Sequence, residues 1–215
     1  MTKFLLRAIA LPTLVVGLSF SSLSRAEDNA AFIDQIGDFN AVNVAVDGAK
    51  NSVILQQIGT GNVSKARLRG TENVVSGVAD VVSGTADVGP AIQRGDHHLF
   101  DILIVGSHNR SALSQSGLAQ AVEHRNSIVL RQDGINNLAS QKQNGIRNSQ
   151  YLAQAGNDNI ADLLQDGDGN SLILEQHGDQ HSATLSQVGD FVDPIKIRQT
   201  GIGARIKVTH RAGGS

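Results

Sequence analysis

The sequence predicts an all-β protein, a parallel in-register β-solenoid of 11-residue half-repeats with about 22 residues per strand–turn–strand–turn coil. Three observations predict it. A motif of the form N-x-A-x-L-x-Q-x-G-x-x recurs along almost the whole chain, apolar and polar residues alternate inside each copy, and a glycine closes each copy at a fixed step. In such a repeat each unit buries its face only against its neighbours, so function is sought in the stack and not in a pocket.

The cleanest run starts at Asn126 and continues from Asn137, Asn148, Asn159, Asn170 and His181. With the start of a unit as step zero, fifteen units begin at Asn29, Asn40, Asn51, Asn62, Asn73, Asp87, His98, Asn109, Asn126, Asn137, Asn148, Asn159, Asn170, His181 and Asp193. Asparagine holds the start in 11 of the 15, glutamine the sixth step in 11 and glycine the eighth in 14, a register that chance does not produce. A degraded sixteenth unit starts at Ala204, with Ile206, Val208 and His210 in phase. The spacing slips by three residues before Asp87, six before Asn126 and one before Asp193, which predicts loops or bulges there.

Alternation within a unit is strand periodicity. It points Ala161, Leu163 and Gln165 to one side of their strand, and likewise Leu172, Leu174 and Gln176, or Val53, Leu55 and Gln57. A five-residue strand spans about 17 Å, and coils stack at about 4.8 Å per step. A helix is excluded, because a glycine every 11 residues costs it about 1 kcal/mol each time. Buried amides need partners. Stacking supplies them, as ladders along the axis, from Gln35, Gln57, Gln93, Gln115, Gln132, Gln143, Gln154, Gln165, Gln176 and Gln187 and, at the corners, from Asn40, Asn51, Asn62, Asn137, Asn148, Asn159 and Asn170. The bends fall on Gly37, Gly59, Gly134, Gly145, Gly156, Gly167, Gly178 and Gly189, where a positive φ or a close approach demands glycine.

Residues 1–26 read as a cleaved signal peptide: Lys3 and Arg7 precede an apolar run from Ile9 to Leu18, and Ser24 and Ala26 offer small residues for cleavage after Ala26. The implied location is extracellular. The alternative is an N-terminus that stays in the membrane as an anchor. The remaining domain organisation is 11-residue repeats over 27–72, an irregular repeat or loop over 73–90, repeats over 91–190 with an insertion at 120–125, and a basic, degenerate last repeat over 191–215. The chain has no cysteine, no tryptophan and one tyrosine, which excludes a disulfide framework, a thiolate metal site and a conventional aromatic core. A net charge of −2 gives no overall signal for nucleic acid, so none is required.

The pattern resembles the curlin repeat, S-x5-Q-x-G-x-x-N-x-A-x3-Q. Its Q-to-Q section is matched without a gap by Gln154, Gly156, Asn159, Ala161 and Gln165, and by Gln132, Gly134, Asn137, Ala139 and Gln143. From Gln176 to Gln187 the one departure is His181 in place of asparagine. The resemblance covers essentially the whole chain after residue 26. It implies a secreted subunit of extracellular amyloid fibres (curli), not an enzyme, with itself or another curlin subunit and the outer-membrane secretion and anchoring proteins as partners. The segment from Ile195 to Arg211 is similar to the basic last repeat of the minor curlin subunit, which nucleates the major one and tethers fibres to the cell. That implies a nucleating or anchoring role. A major, fibre-forming subunit is the alternative, and a secreted β-helix carbohydrate-active enzyme or a binding solenoid is the alternative from another class. Lys196, Arg198, Arg205, Lys207 and Arg211 are then candidates for attachment to an anionic surface, or simply a charged coil that discourages strand addition.

Open strand ends template further chains, and the regular block from Asn126 to Asp190 is the expected polymerising surface. Asp133, Asp162, Asp166 and Asp179, at odd steps, are expected to stack imperfectly in register and repel along the fibre, slowing assembly until after export. Asp166 to Asn170 lacks the spacing of a calcium loop and reads as a turn; His177 and His181 read as solvated or stacked turn residues. Lys65, Arg67 and Arg69 share an outer face. No catalytic constellation appears, and neither cofactor nor metal is expected.

Overall fold

The computed structural model describes residues 3–9, 15–21, 28–77, 89–118 and 124–212. Every regular element among them is a β-strand, and all strand pairs are parallel. One sheet runs β1 (Lys3–Ile9), β3 (Ala30–Ile36), β5 (Ser52–Ile58), β7 (Val74–Ser76) with β8 (Ala91–Asp96), β10 (Arg110–Leu118), β12 (Leu138–Asn144), β14 (Ile160–Asp166), β16 (Ser182–Val188) and β18 (Arg205–Arg211). The other runs β2 (Val15–Ser21), β4 (Ala41–Ala49), β6 (Val63–Thr71), β9 (Leu99–Ser107), β11 (Ser127–Ile135), β13 (Ser149–Ala155), β15 (Ser171–Asp179) and β17 (Ile195–Ile202). Consecutive units alternate between the sheets, so two units make one coil of a parallel, in-register β-solenoid.

The alternation in sequence becomes alternation in burial, inward at even steps. Inward residues of both sheets form one apolar cluster, with Leu55, Leu68, Ile102, Ile104, Leu130, Leu163 and Leu174 almost fully enclosed. Among the described residues its thickness comes from aliphatic side chains and a single buried aromatic, Phe100, which is why so few aromatics suffice.

Two parts of the expected division are corrected. Asn73 and Asp87 do not begin separate units. β7 pairs with the first half of β5 and β10, and β8 with the second half of the same two strands. Together they make one rung interrupted by an insertion between Ser76 and Ala91, whose residues 78–88 lie outside the described set. The three-residue slip in spacing is thus the difference between an insertion of about one repeat and the repeat itself. Near the C-terminus, Val192 and not Asp193 holds the corner, its N–H donating to Asn170 Oδ1 at 2.9 Å. The extra residue therefore sits after that corner, at Asp193–Pro194, before Leu172 and Ile195 come back into register. Of the expected insertion at 120–125, residues 120–123 lie outside the described set, as does the expected cleavage site after Ala26.

Glycine at the eighth step is required twice over. Gly156 has φ +121°, and a Cβ on it would lie 2.1 Å from the carbonyl oxygen of Gly178, in the same bend one coil further on. Gly201, at the last such bend, has φ +97° with nothing within 4 Å. All eight expected bend glycines have positive φ, from +98° at Gly145 to +126° at Gly134. Gly156→Ala is therefore predicted to destabilise the fold by more than the ~1–3 kcal/mol of backbone strain alone, and Gly201→Ala by no more than that strain. Denaturant midpoints of the two variants, compared with the parent, test it; equal losses contradict the close-approach account.

Candidate functional site: amide ladders and strand edges

Two glutamine ladders run through the core. In the first, Gln35 Nε2 donates to Gln57 Oε1 at 2.6 Å, and the chain of donors continues through Gln93 (2.8 Å), Gln115 (3.1 Å), Gln143 (2.9 Å), Gln165 (2.9 Å) and Gln187 (2.9 Å). In the second, Gln132 donates to Gln154 at 2.9 Å, Gln154 to Gln176 at 2.9 Å and Gln176 to Gln199 at 2.8 Å. Both have the same polarity, amide donors facing the C-terminus and acceptors the N-terminus. The second is shorter because Val46, Leu68 and Ile104 hold its step in the earlier coils, leaving Gln132 Oε1 buried without a partner. Most second hydrogens cross to the opposite sheet, as from Gln165 to the Ser149 carbonyl at 3.2 Å.

The corner asparagines do two jobs each. Asn137 Oδ1 accepts the backbone N–H of Asn159 at 3.1 Å, while Asn137 Nδ2 donates to the Gly156 carbonyl at 2.8 Å. The same pair of bonds ties Asn51, Asn40 and Asn148 to the coil that follows. Asn62 (to His98 and Gly95), Asn159 (to His181 and Gly178) and Asn170 (to Val192 and Gly189) do likewise. Asn29, Asn73, Asn109 and Asn126 belong to these rows as well. Their place in the repeat was the signal for them. The histidines at corner positions imitate asparagine. His181 Nδ1 accepts the Ala204 N–H at 3.2 Å and its Nε2 donates to the His177 carbonyl at 3.2 Å, so this buried residue is a stacked corner, while His177 is exposed. His98 Nε2 donates to the carbonyls of Gly117 and Arg94, but its Nδ1 is buried without a partner.

The acidic residues need a correction. Asp133 lies between Val105 and Ala155, Asp162 between Ser140 and Thr184, and Asp166 between Asn144 and Val188, so the expected like-charge repulsion does not arise within the chain. Asp179 caps a turn, its Oδ1 accepting the Asn157 N–H at 2.7 Å. Within the Asp166 to Asn170 turn, Asp168 Oδ1 accepts the Ile146 N–H at 2.9 Å. Among the described residues no group of three acidic, histidine or cysteine side chains is placed to hold a metal ion.

The regular block is not a polymerising surface either: β11 to β16 are each hydrogen-bonded on both sides. The edges lie at the ends of the stack. β17 and β18 are the last strands of their sheets, and Ile197, Ile206 and Val208 are only half-buried where their counterparts one coil earlier are enclosed. At the other end β1 and β2 lie over β3 and β4. Lys196, Arg198, Arg205, Lys207 and Arg211 are all exposed on the last coil. Arg198 is bound back to Glu175 at 2.6 Å, and this guanidinium holds the Glu175 carboxyl below the usual carboxylate range. Lys65, Arg67 and Arg69 are exposed on one face of β6, as expected.

A residue type missed by sequence is the one before each corner. Lys50, Arg147, Asp158 and Gln180 have φ between +56° and +61°, a left-handed conformation that their identity does not announce. Gly61, Gly169 and Gly203, at the same step, hint at it. No protein-family model matches the chain, and no curated protein matches it.

Ladder position sets the cost of losing an amide. Gln143→Leu orphans a donor on Gln115 and an acceptor on Gln165, whereas Gln132→Leu orphans one acceptor and removes another that is already unpaired. Gln143→Leu is predicted to be the more destabilising by ~2 kcal/mol, read as the difference in unfolding free energy; equal losses contradict the ladder. His98 supplies a pH test. Burial pushes its pKa below the ordinary 6.5, outweighing the two carbonyls that accept from it. The neutral ring is the folded form, so its contribution is complete above pH 6.5 and is lost as pH falls from there through the lowered folded value. His98→Asn, which offers an amide at that corner, is predicted to lose less stability than the parent between about pH 7 and pH 5. Parallel melting curves at the two pH values measure it, and identical losses overturn it.

Proposed function

We propose that the chain is a structural subunit of extracellular curli-type amyloid fibres, nucleating or anchoring their growth by offering its open coil ends as templates for strand addition. The observation that carries this is the pair of buried amide ladders: each coil presents to the next the donors and acceptors it received from the one before. A stack of that kind has no built-in end. A strand edge with an exposed aliphatic row and unpaired backbone groups gives an incoming chain ladder bonds and burial together. The C-terminal coil offers such an edge, with half-buried Ile197, Ile206 and Val208.

The partners in this reading are a second, more regular curlin subunit or further copies of this chain, with outer-membrane proteins exporting and holding the assembly. The exposed cations of the last coil suit an anionic cell surface, through attraction that salt screens. No cofactor takes part. Substoichiometric amounts of this protein are expected to abolish the lag of a regular curlin chain, followed by thioflavin fluorescence. A lag unchanged by the addition overturns the nucleating role.

A further inference from the structure

The outer face of the second sheet carries a row of cations without ion-pair partners. Lys65, Arg67 and Arg69 occupy alternate positions of β6, about 7 Å apart along one strand, and all three are exposed. Among the described residues none of them forms an ion pair. Arg67 lies between Ala45 and Leu103, which carry no charge, and Arg69 between Asp47 and Val105. Lys65 lies between Asn43 and Asp101, but Asp101 is already held by Arg131. That guanidinium donates to its carboxylate at 2.8 Å and to its backbone carbonyl at 3.0 Å. A groove of about 290 Å³ runs among these side chains, lined by Lys65 and Arg67, by Asp101 with its Arg131, and by Asn43 and the short Ala45. Like charges so placed repel one another, a cost that an anion bound among them would remove.

We infer that this groove binds an acidic polysaccharide, a chain of uronic acid units laid across β4, β6 and β9. Lys65 and Arg67 take the carboxylates, their long flexible stems reaching acids on neighbouring sugars. The rest of the lining favours a sugar over other polyanions. Asp101 spends two of the roughly four acceptor positions of its carboxylate on Arg131, which leaves the others for hydroxyl donors. Asn43 adds an exposed amide that both donates and accepts. The phosphodiester backbone of DNA brings charge without hydroxyls, and the Asp101 carboxylate repels it. No aromatic ring lines the groove for a base to stack on. The site lies on the outward face of one chain, so it goes beyond the assembly reading and stands without it.

Fluorescence anisotropy of labelled hexagalacturonate, titrated with the full-length chain, tests this. Lys65→Ser with Arg67→Ser is expected to weaken binding at least about ten-fold. Lys196→Ser with Arg205→Ser, which removes the same charge from the last coil, is expected to weaken it less than about two-fold. The methyl-esterified hexamer, the same sugar without charge, is expected to bind at least about ten-fold more weakly, as are an oligothymidylate and a hexaglutamate of like charge. Equal losses in the two double variants overturn the proposal, and so does equal binding of the esterified hexamer, the oligothymidylate or the hexaglutamate. A second measurement uses the unaltered chain and does not depend on how the variants fold. Hexagalacturonate is expected to protect Lys65 from acetylation but not Lys142, which is exposed on the other sheet. Protection of both alike, or of neither, overturns the site.

Discussion

One spacing governs this molecule: a buried polar group must find its equivalent one coil away, at the ~4.8 Å separation of hydrogen-bonded strands. Glutamine at mid-strand and asparagine at the corner meet it because each carries a donor and an acceptor that can face opposite ways along the axis. The bend glycines follow from the same constraint, since coils stacked this closely bring Gly178 O within 2.1 Å of where a Cβ on Gly156 would be. Apolar packing stabilises the interior, but the amides fix register, because a slip of one residue would turn them out of the core and a slip of two would bury them opposite aliphatic neighbours.

Where the constraint is broken, the breaks are instructive. The coils from Asn126 to Gln154 look the most regular in sequence, yet they hold the least satisfied part of the core. Gln141 occupies a step given to Leu113 and Leu163 elsewhere, and both its amide atoms are buried without partners, as are Gln150 Oε1 and Gln132 Oε1. Each unsatisfied group costs on the order of 1–3 kcal/mol. The 76–91 insertion shows the opposite: it interrupts a strand in mid-rung, and both ladders of that sheet pass through undisturbed, from Asn51 through Asn73 to Asn109 and from Gln57 through Gln93 to Gln115. Stack contacts, not chain continuity, define the rung.

That is also why some of the structure was legible in the sequence and some was not. Period, alternation and the identity of the amides exposed the solenoid, its inward rows and its bend glycines, because each is a local consequence of a repeating environment. The pairing of Asn73 with Gln93 in one rung was hidden, since it depends on which coil lies above and below. The roles of Asp168 and Asp179 as turn acceptors were hidden for the same reason, being set by a neighbour 22 residues away. His98 and His181 were visible as substitutions at the corner, but that His181 bonds like asparagine and His98 only by half depends on the local backbone.

The central claim is that coils of one chain, and then of successive chains, stack singly along a common axis. Mass per unit length of the fibres tests it most directly. A solenoid adds one two-strand coil per ~4.8 Å, so each chain, with eight rungs in one sheet from β3 to β18 and seven in the other from β4 to β17, occupies roughly 34–38 Å of fibre. The account predicts a mass per length equal to one chain per that distance for a single protofilament. A value about seven-fold higher, one whole chain every ~4.8 Å with identical residues stacked on themselves, would contradict it.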